Sequence, residues 1–250
     1  TLSGGTVQIA SLANGTATMD IPGTLAAGSN NLSISYAGDS NYQPGTGTVL
    51  VMVGRAVLTV SANSATKIYG TANPVFTGSI NGAINGDAFT ESFTTAATAS
   101  SNVGTYAIVP SAAGTDLGNY TETIQNGTLT VTQAGSAVAL TSSTANANLN
   151  AAVTFTAAVT SATTGTPTGA VEFLDGSTQL GTGELNMQGV ATYSTTNLAA
   201  GAHSIHAVYA GDQNFTGSSI ALAQQVTAPD YSLTADPASL TLKAGQTGEV

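Results

Sequence analysis

A long-period internal repeat constrains this chain more than any single motif. The run Leu-Ala-Ala-Gly at 25–28 returns at 198–201, and Tyr-Ala-Gly-Asp at 36–39 returns at 209–212, an offset of 173 residues in both instances. Val53 and Val226 keep that offset, and GTATM at 15–19 matches GVATY at 189–193 with a one-residue slip, as an indel in a turn produces. A 250-residue chain with such a repeat is built from several small units rather than one large core. The second copy also carries strand-like runs at 152–159 (AVTFTAAV) and 169–175 (GAVEFLD) that the first copy begins too late to contain. The expected organisation is therefore the C-terminal part of a β domain at 1–53, a unit of different sequence at 54–133, a complete copy at 134–227, and the first strands of a further unit at 228–250. On this expectation both ends of the chain cut through domains.

Residue alternation sets the element type. Val153, Phe155, Ala157 and Val159 alternate with Thr154, Thr156 and Ala158, and Leu32, Ile34 and Tyr36 alternate with Ser33 and Ser35, the period of a strand with one face buried. No window carries an apolar stripe of helical period between capping signals, and the 29 glycines fall at turn spacing. The prolines (22, 44, 74, 110, 167, 229 and 237) sit near predicted strand ends or turns, Pro229 in a short join. Short strands in units of this length predict an all-β fold of tandem Greek-key sandwiches.

The motifs carry a more specific likeness. From GAVEFLDG through LGTGEL and GVATYSTTNLAAGAHSIHAVYAGDQNF, residues 134–227 resemble the bacterial Ig-like domain family 3. Residues 1–53 resemble the second half of the same family, with Asn30 and Tyr42 at the positions of His203 and Phe215. The middle unit resembles the MBG-type repeat through ATKIYGTANPVFTGSI, SNVGTYAIVPSA and NYTETIQNGTLTV. These resemblances imply tandem Ig-like sandwiches of a secreted or cell-surface bacterial protein, with a spacer, adhesin-like or interaction role. They bring no catalytic residues.

Composition narrows the chemistry. Charged residues are only 6% of the chain, and 13 acids against three bases (Arg55, Lys67, Lys243) give a formal charge of −10. That charge repels phosphate backbones and anionic lipid, so nucleic acid is excluded as a partner and the acidity reads as a solubility device. With no cysteine, disulfides, thiolate nucleophiles and Cys-ligated zinc are excluded. No apolar run reaches the ~20 residues of a membrane span, so membrane insertion within this segment is excluded.

Each candidate chemical group has a structural reading beside it. His203 and His206 lie three apart on a strand and point to opposite faces, unsuited to one metal. Asp39 and Asp212 follow Gly in the repeated Ala-Gly-Asp turn, where a carboxylate accepts backbone N–H bonds. Asp87, Asp116, Asp175 and Asp212 lack the spacing of a calcium loop, although calcium pooled at a domain junction stays open. Glu172 and Asp175 face opposite sides of a strand, against glycoside hydrolysis. Tyr36, Tyr69, Tyr106, Tyr120, Tyr193 and Tyr209 read as rings closing a sandwich, with a sugar-stacking strip as the alternative. Asn14, Asn31, Asn119, Asn126 and Asn214 begin N-x-S/T sequons, and Lys67 is a candidate for a cross-link to Asn. The reading expects no catalytic, metal or cofactor-binding residues and no cofactor. It leaves three roles: a non-catalytic stalk or spacer, a module binding a surface glycan or protein through sandwich-end loops, and self-association by strand complementation.

Overall fold

The computed structural model describes residues 8–21, 23–230 and 244. The unit expected at 228–250 lies outside the described residues except at 228–230 and 244, as do Pro22, Pro237 and Lys243. The chain divides into two compact units between Thr132 and Gln133.

The first unit opens with an antiparallel hairpin, β1 (Gly28–Tyr36) and β2 (Gly45–Val53), in register from Gly28↔Val53 to Tyr36↔Gly45. Seven strands follow: β3 (Ala56–Ala62), β4 (Ala65–Ile68), β5 (Gly78–Asn81), β6 (Thr90–Thr94), β7 (Gly104–Ala113), β8 (Tyr120–Gln125) and β9 (Gly127–Thr132). They form two sheets, of order β5-β3-β8 and β4-β9-β7-β6. Alternation places Leu58 and Val60 of β3 and Ile108, Leu129 and Val131 of β7 and β9 in the interior, all essentially without solvent exposure. Burying each side chain of this size is worth about 1.5–3 kcal/mol. Tyr120 closes one end, its ring edge-on to Phe89 at 5.1 Å, and its hydroxyl donates to Asp87 Oδ2 at 2.7 Å and receives the Ile84 amide at 3.0 Å. The hairpin side reaches this sandwich through two polar ties: the Ala27 amide donates to Asn119 Oδ1 (2.8 Å), and Asn85 Nδ2 donates to the Gly23 carbonyl (3.2 Å).

The described residues of the second unit form a two-sheet sandwich. Its strands are β10 (Ser136–Ser142), β11 (Asn146–Asn148), β12 (Val153–Ser161), β13 (Ala170–Asp175), β14 (Thr178–Glu184), β15 (Val190–Thr195), β16 (Gly201–Gly211) and β17 (Thr216–Thr227). One sheet runs β10-β12-β15 and the other β11-β17-β16-β13-β14. The alternating residues of β12 point Val153, Phe155, Ala157 and Val159 inward, opposite Val171 and Phe173 of β13 and Ile205, Ala207 and Tyr209 of β16, all buried. Phe173 stacks on Tyr193 at 5.7 Å, joining the two sheets. Helix is confined, among the described residues, to the single 3-10 turn Leu117–Asn119.

The two copies of the repeat superimpose in pairing as well as in sequence. β1 and β2 pair residue for residue as β16 and β17 do: Asn30↔Val51 corresponds to His203↔Gln224, and Leu32↔Val49 to Ile205↔Leu222. The difference lies in what surrounds them. β16 and β17 sit centrally in a five-stranded sheet, whereas β1 and β2 form a two-stranded sheet.

Candidate functional site

The repeated Ala-Gly-Asp turn has the same geometry twice. Asp39 Oδ1 accepts the amides of Asn41 (2.7 Å) and Tyr42 (2.9 Å), and Asp212 Oδ1 accepts those of Asn214 (2.8 Å) and Phe215 (2.9 Å). The preceding glycines adopt positive φ, +82° at Gly38 and +96° at Gly211, and a Cβ at Gly211 would lie 2.7 Å from the Phe215 carbonyl oxygen. The second carboxylate oxygen distinguishes the copies. Asp212 Oδ2 accepts the amide and the hydroxyl of Thr168. Asp39 Oδ2 instead accepts the Tyr36 hydroxyl at 2.7 Å. Burial pushes the Asp212 carboxyl up, but the bonds from Thr168, Asn214 and Phe215 outweigh it and hold the group below its ordinary value. Tyr209, the counterpart of Tyr36, has a buried hydroxyl beside Asp212; burial first, then the charge of Asp212, pushes it up to about 12.

His203 lies on the inner face of β16 near its start. Its Nε2 is 2.8 Å from the Ala199 carbonyl and its Nδ1 is 2.7 Å from Asp175 Oδ2. Both neighbours accept, so the doubly protonated ring satisfies both at once. The Ala199 carbonyl and then the Asp175 carboxylate raise the His203 pKa against the opposing effect of burial. In the first copy Asn30 Nδ2 donates to the Ala26 carbonyl at 2.9 Å, the same bond made by a neutral side chain. His206 faces the other way, with Nε2 at 3.2 Å from Ser204 Oγ.

In both sandwiches an early strand lies parallel to the last described one. β4 pairs with β9 (Ala65↔Leu129 to Ile68↔Thr132), and β11 pairs with β17 (Asn146↔Gln225 to Asn148↔Thr227). The residue just past each early strand extends the ladder to the final residue of the last: Tyr69 N donates to Thr132 O at 2.8 Å, and Leu149 N donates to Thr227 O at 2.9 Å. Buried polar side chains reinforce both places. Gln224 accepts from Ser142 Oγ (2.6 Å) and donates to the carbonyls of Ala145 and Gln225. Lys67 is buried, and its Nζ donates to the carbonyls of Thr71 (3.1 Å) and Thr98, tying two loops to β4. Burial pushes the lysine pKa down. Sequence reasoning treated Lys67 only as a cross-linking candidate and did not find Gln224; no local spacing signals either role.

The remaining candidates are dispersed. Asp87 and Asp116 line one cleft beside Asn85 and Asn119, where Asp87 holds the Tyr120 hydroxyl and Asp116 Oδ2 accepts the Thr115 hydroxyl at 2.9 Å. Among the described residues no three His, Asp or Glu groups converge as metal ligands. Glu172 and Asp175 lie on opposite faces of β13, and only Asp175 meets a histidine. Tyr106 and Tyr193 donate to the carbonyls of Asn102 and Leu180, at 2.9 and 2.8 Å. Tyr69 lies at the end of β4 with its backbone in the ladder. Of the sequon residues, Asn14 takes φ +51° in an exposed turn, Asn31 and Asn126 are exposed, and Asn119 and Asn214 take part in turn hydrogen bonds. No described helix is long and apolar enough to cross a membrane.

A two-sheet antiparallel sandwich with a parallel edge strand is an immunoglobulin-like fold. More specifically, residues 140–228 match the bacterial Ig-like domain (group 3) and residues 58–130 match the MBG domain (YGX type), in which Tyr69-Gly70-Thr71 lies just after β4. Similar solved structures include fibronectin(III)-like modules of Clostridium thermocellum CbhA (17% identity, 69% of this chain and 95% of that chain, TM-score 0.34). The Yersinia pseudotuberculosis adhesin InvE (17%, 68% and 60%, 0.32) and the Escherichia coli adhesin FdeC (16%, 80% and 74%, 0.30) are similar too. The comparison with curated proteins found no match.

Proposed function

We propose that this chain is a non-catalytic, load-bearing stalk or spacer segment of a secreted or cell-surface bacterial protein of adhesin-like kind. The observation that carries the reading is the parallel pairing of an early strand with a late one in both sandwiches, β4 with β9 and β11 with β17. When tension enters a repeat through its two ends, two parallel neighbours are drawn in opposite directions along their length. Their backbone hydrogen bonds are then loaded together in shear and must break together. Antiparallel neighbours pulled from one end open bond by bond instead. Gln224 and Lys67 fit the same role, since each fixes a loop against a strand of the ladder without serving any chemistry. The family matches support an extracellular bacterial setting.

Single-molecule pulling of the 250-residue chain tests this. Unfolding of the 134–227 repeat is expected as one discrete event, releasing about 3.4 Å of contour per residue. Leu149→Pro, which removes the amide bonded to Thr227, is expected to lower the rupture force of that event while its length increment persists. An unchanged force in the proline variant would contradict the load path.

A further inference from the structure

We propose that Asn85 and Asn119 form a socket on the β3–β9 sandwich that grips the turn at 23–28 leading into β1, with the Tyr120 hydroxyl as the group that positions both. The partner such a socket fits is the Leu-Ala-Ala-Gly turn of a repeat of the β1–β2 kind, recognised through its backbone. The proposal concerns the joint ahead of a sandwich and goes beyond the load path within one.

The joint has little slack. β2 ends at Val53 and β3 begins at Ala56, so only Gly54 and Arg55 lie between them. Across it the two asparagines do opposite work: Asn119 Oδ1 accepts the Ala27 amide at 2.8 Å, and Asn85 Nδ2 donates to the Gly23 carbonyl at 3.2 Å. Both targets are main-chain groups, so the shape of the turn is what the socket reads. That shape is fixed from within by the buried Asn30, whose Nδ2 donates to the carbonyls of Ala26 (2.9 Å) and Gly28 (3.3 Å). Ala27 is half-buried at this contact, whereas Ala200, its counterpart in the other copy, is exposed.

Tyr120 ties the two halves of the socket together. Asn85 sits at the tip of the turn 84–87, closed by the Asp87 amide on the Ile84 carbonyl at 3.0 Å, with positive φ at both Asn85 (+57°) and Gly86 (+79°). The Tyr120 hydroxyl holds that turn at both ends, since it receives the Ile84 amide and donates to Asp87 Oδ2. Asn119 is its chain neighbour and the last residue of the 3-10 turn, where its amide donates to the Asp116 carbonyl at 2.9 Å. The Tyr120 ring is buried edge-on to Phe89, so the core fixes the hydroxyl that in turn fixes the 84–87 turn.

Amide exchange in the full chain tests this, with the Ala27 amide as reporter. Asn119→Ala is expected to speed exchange at Ala27 by at least ~10-fold, and Asn119→Asp, which keeps an acceptor, to leave it slow. Tyr120→Phe keeps the ring and removes the hydroxyl; it is expected to speed exchange at Ala27 several-fold while Leu58, Ile108 and Leu129 in the sandwich core keep their protection. Loosening of the joint is read separately. The chain has no cysteine, so Thr46→Cys and Thr105→Cys carry one spin label each, and the distance distribution between the labels is expected to broaden when Asn85→Ala and Asn119→Ala are combined. Unchanged exchange at Ala27 in Asn119→Ala, or an unchanged label distribution in the double variant, overturns the socket. In Tyr120→Phe, no acceleration at Ala27, or acceleration that spreads to Leu58, Ile108 and Leu129, overturns the positioning role. Pulling on the 134–227 repeat involves none of these residues, so failure here and failure of the load-bearing reading are separate results.

Discussion

Asp212 Oδ2 receives both the amide (2.9 Å) and the hydroxyl (2.7 Å) of Thr168, a residue 44 positions earlier in the chain. Its counterpart Asp39 takes the hydroxyl of its neighbour Tyr36 instead. One turn sequence thus makes two different second-oxygen contacts.

Thr168→Val removes one of the two bonds and leaves the carboxylate under-satisfied. A loss of about 1.5–3 kcal/mol is expected for the second unit, read from urea unfolding near neutral pH. The folded pKa of Asp212 is depressed, so its contribution is present above the unfolded value of 3.8 and is lost as pH falls through the folded value. Asp212→Asn is expected to flatten that acid limb of the stability curve.

His203 has the opposite sign. Its folded pKa is raised above 6.5, so the stabilisation is complete below that value and disappears as pH rises through the folded pKa. His203→Asn copies the first repeat, where Asn30 bonds the Ala26 carbonyl. The variant is expected to fold, to keep the bond to Ala199 and to lose the pH dependence, as thermal melts between about pH 5 and 8 record.

Gly211→Ala places a Cβ 2.7 Å from the Phe215 carbonyl at a φ of +96°. Strain of about 1–3 kcal/mol is expected, lowering the melting point of the second unit. Gly38→Ala puts a Cβ 2.8 Å from the Tyr42 carbonyl and is expected to disturb only the hairpin.

Gln224→Ala deletes a side chain that bonds Ser142, Ala145 and Gln225 inside the sandwich. With the partner groups left buried, a cost of about 1–3 kcal/mol is expected. Faster amide exchange at 144–149 would locate the effect beside β11.

The all-β architecture was legible because alternation is local: the runs beginning at Val153 and Leu32 announce a strand with one buried face whatever they pair with. The 173-residue offset likewise exposed the kinship of the two copies before any pairing was known. What alternation does not encode is which strands become neighbours. The Asp175–His203 pair arises from the register of β13 on β16, and the Lys67 and Gln224 ties arise from loops brought against parallel edge strands. Residue-type spacing therefore steered attention to chelation and cross-linking, whereas the side chains concerned satisfy backbone carbonyls and one carboxylate.

Pulling direction tests the load-bearing reading most directly. With handles at Gln133 and Ala228, force enters the 134–227 repeat through its ends and shears β11 against β17; with handles at Ala202 and Gln225, register partners on exposed positions, it peels β16 from β17. The end-to-end geometry is expected to need a rupture force several-fold higher than the peeling geometry, and Leu149→Pro should reduce only the former. Equal forces in the two directions, or a stronger peel, would contradict a repeat built to carry tension between its termini.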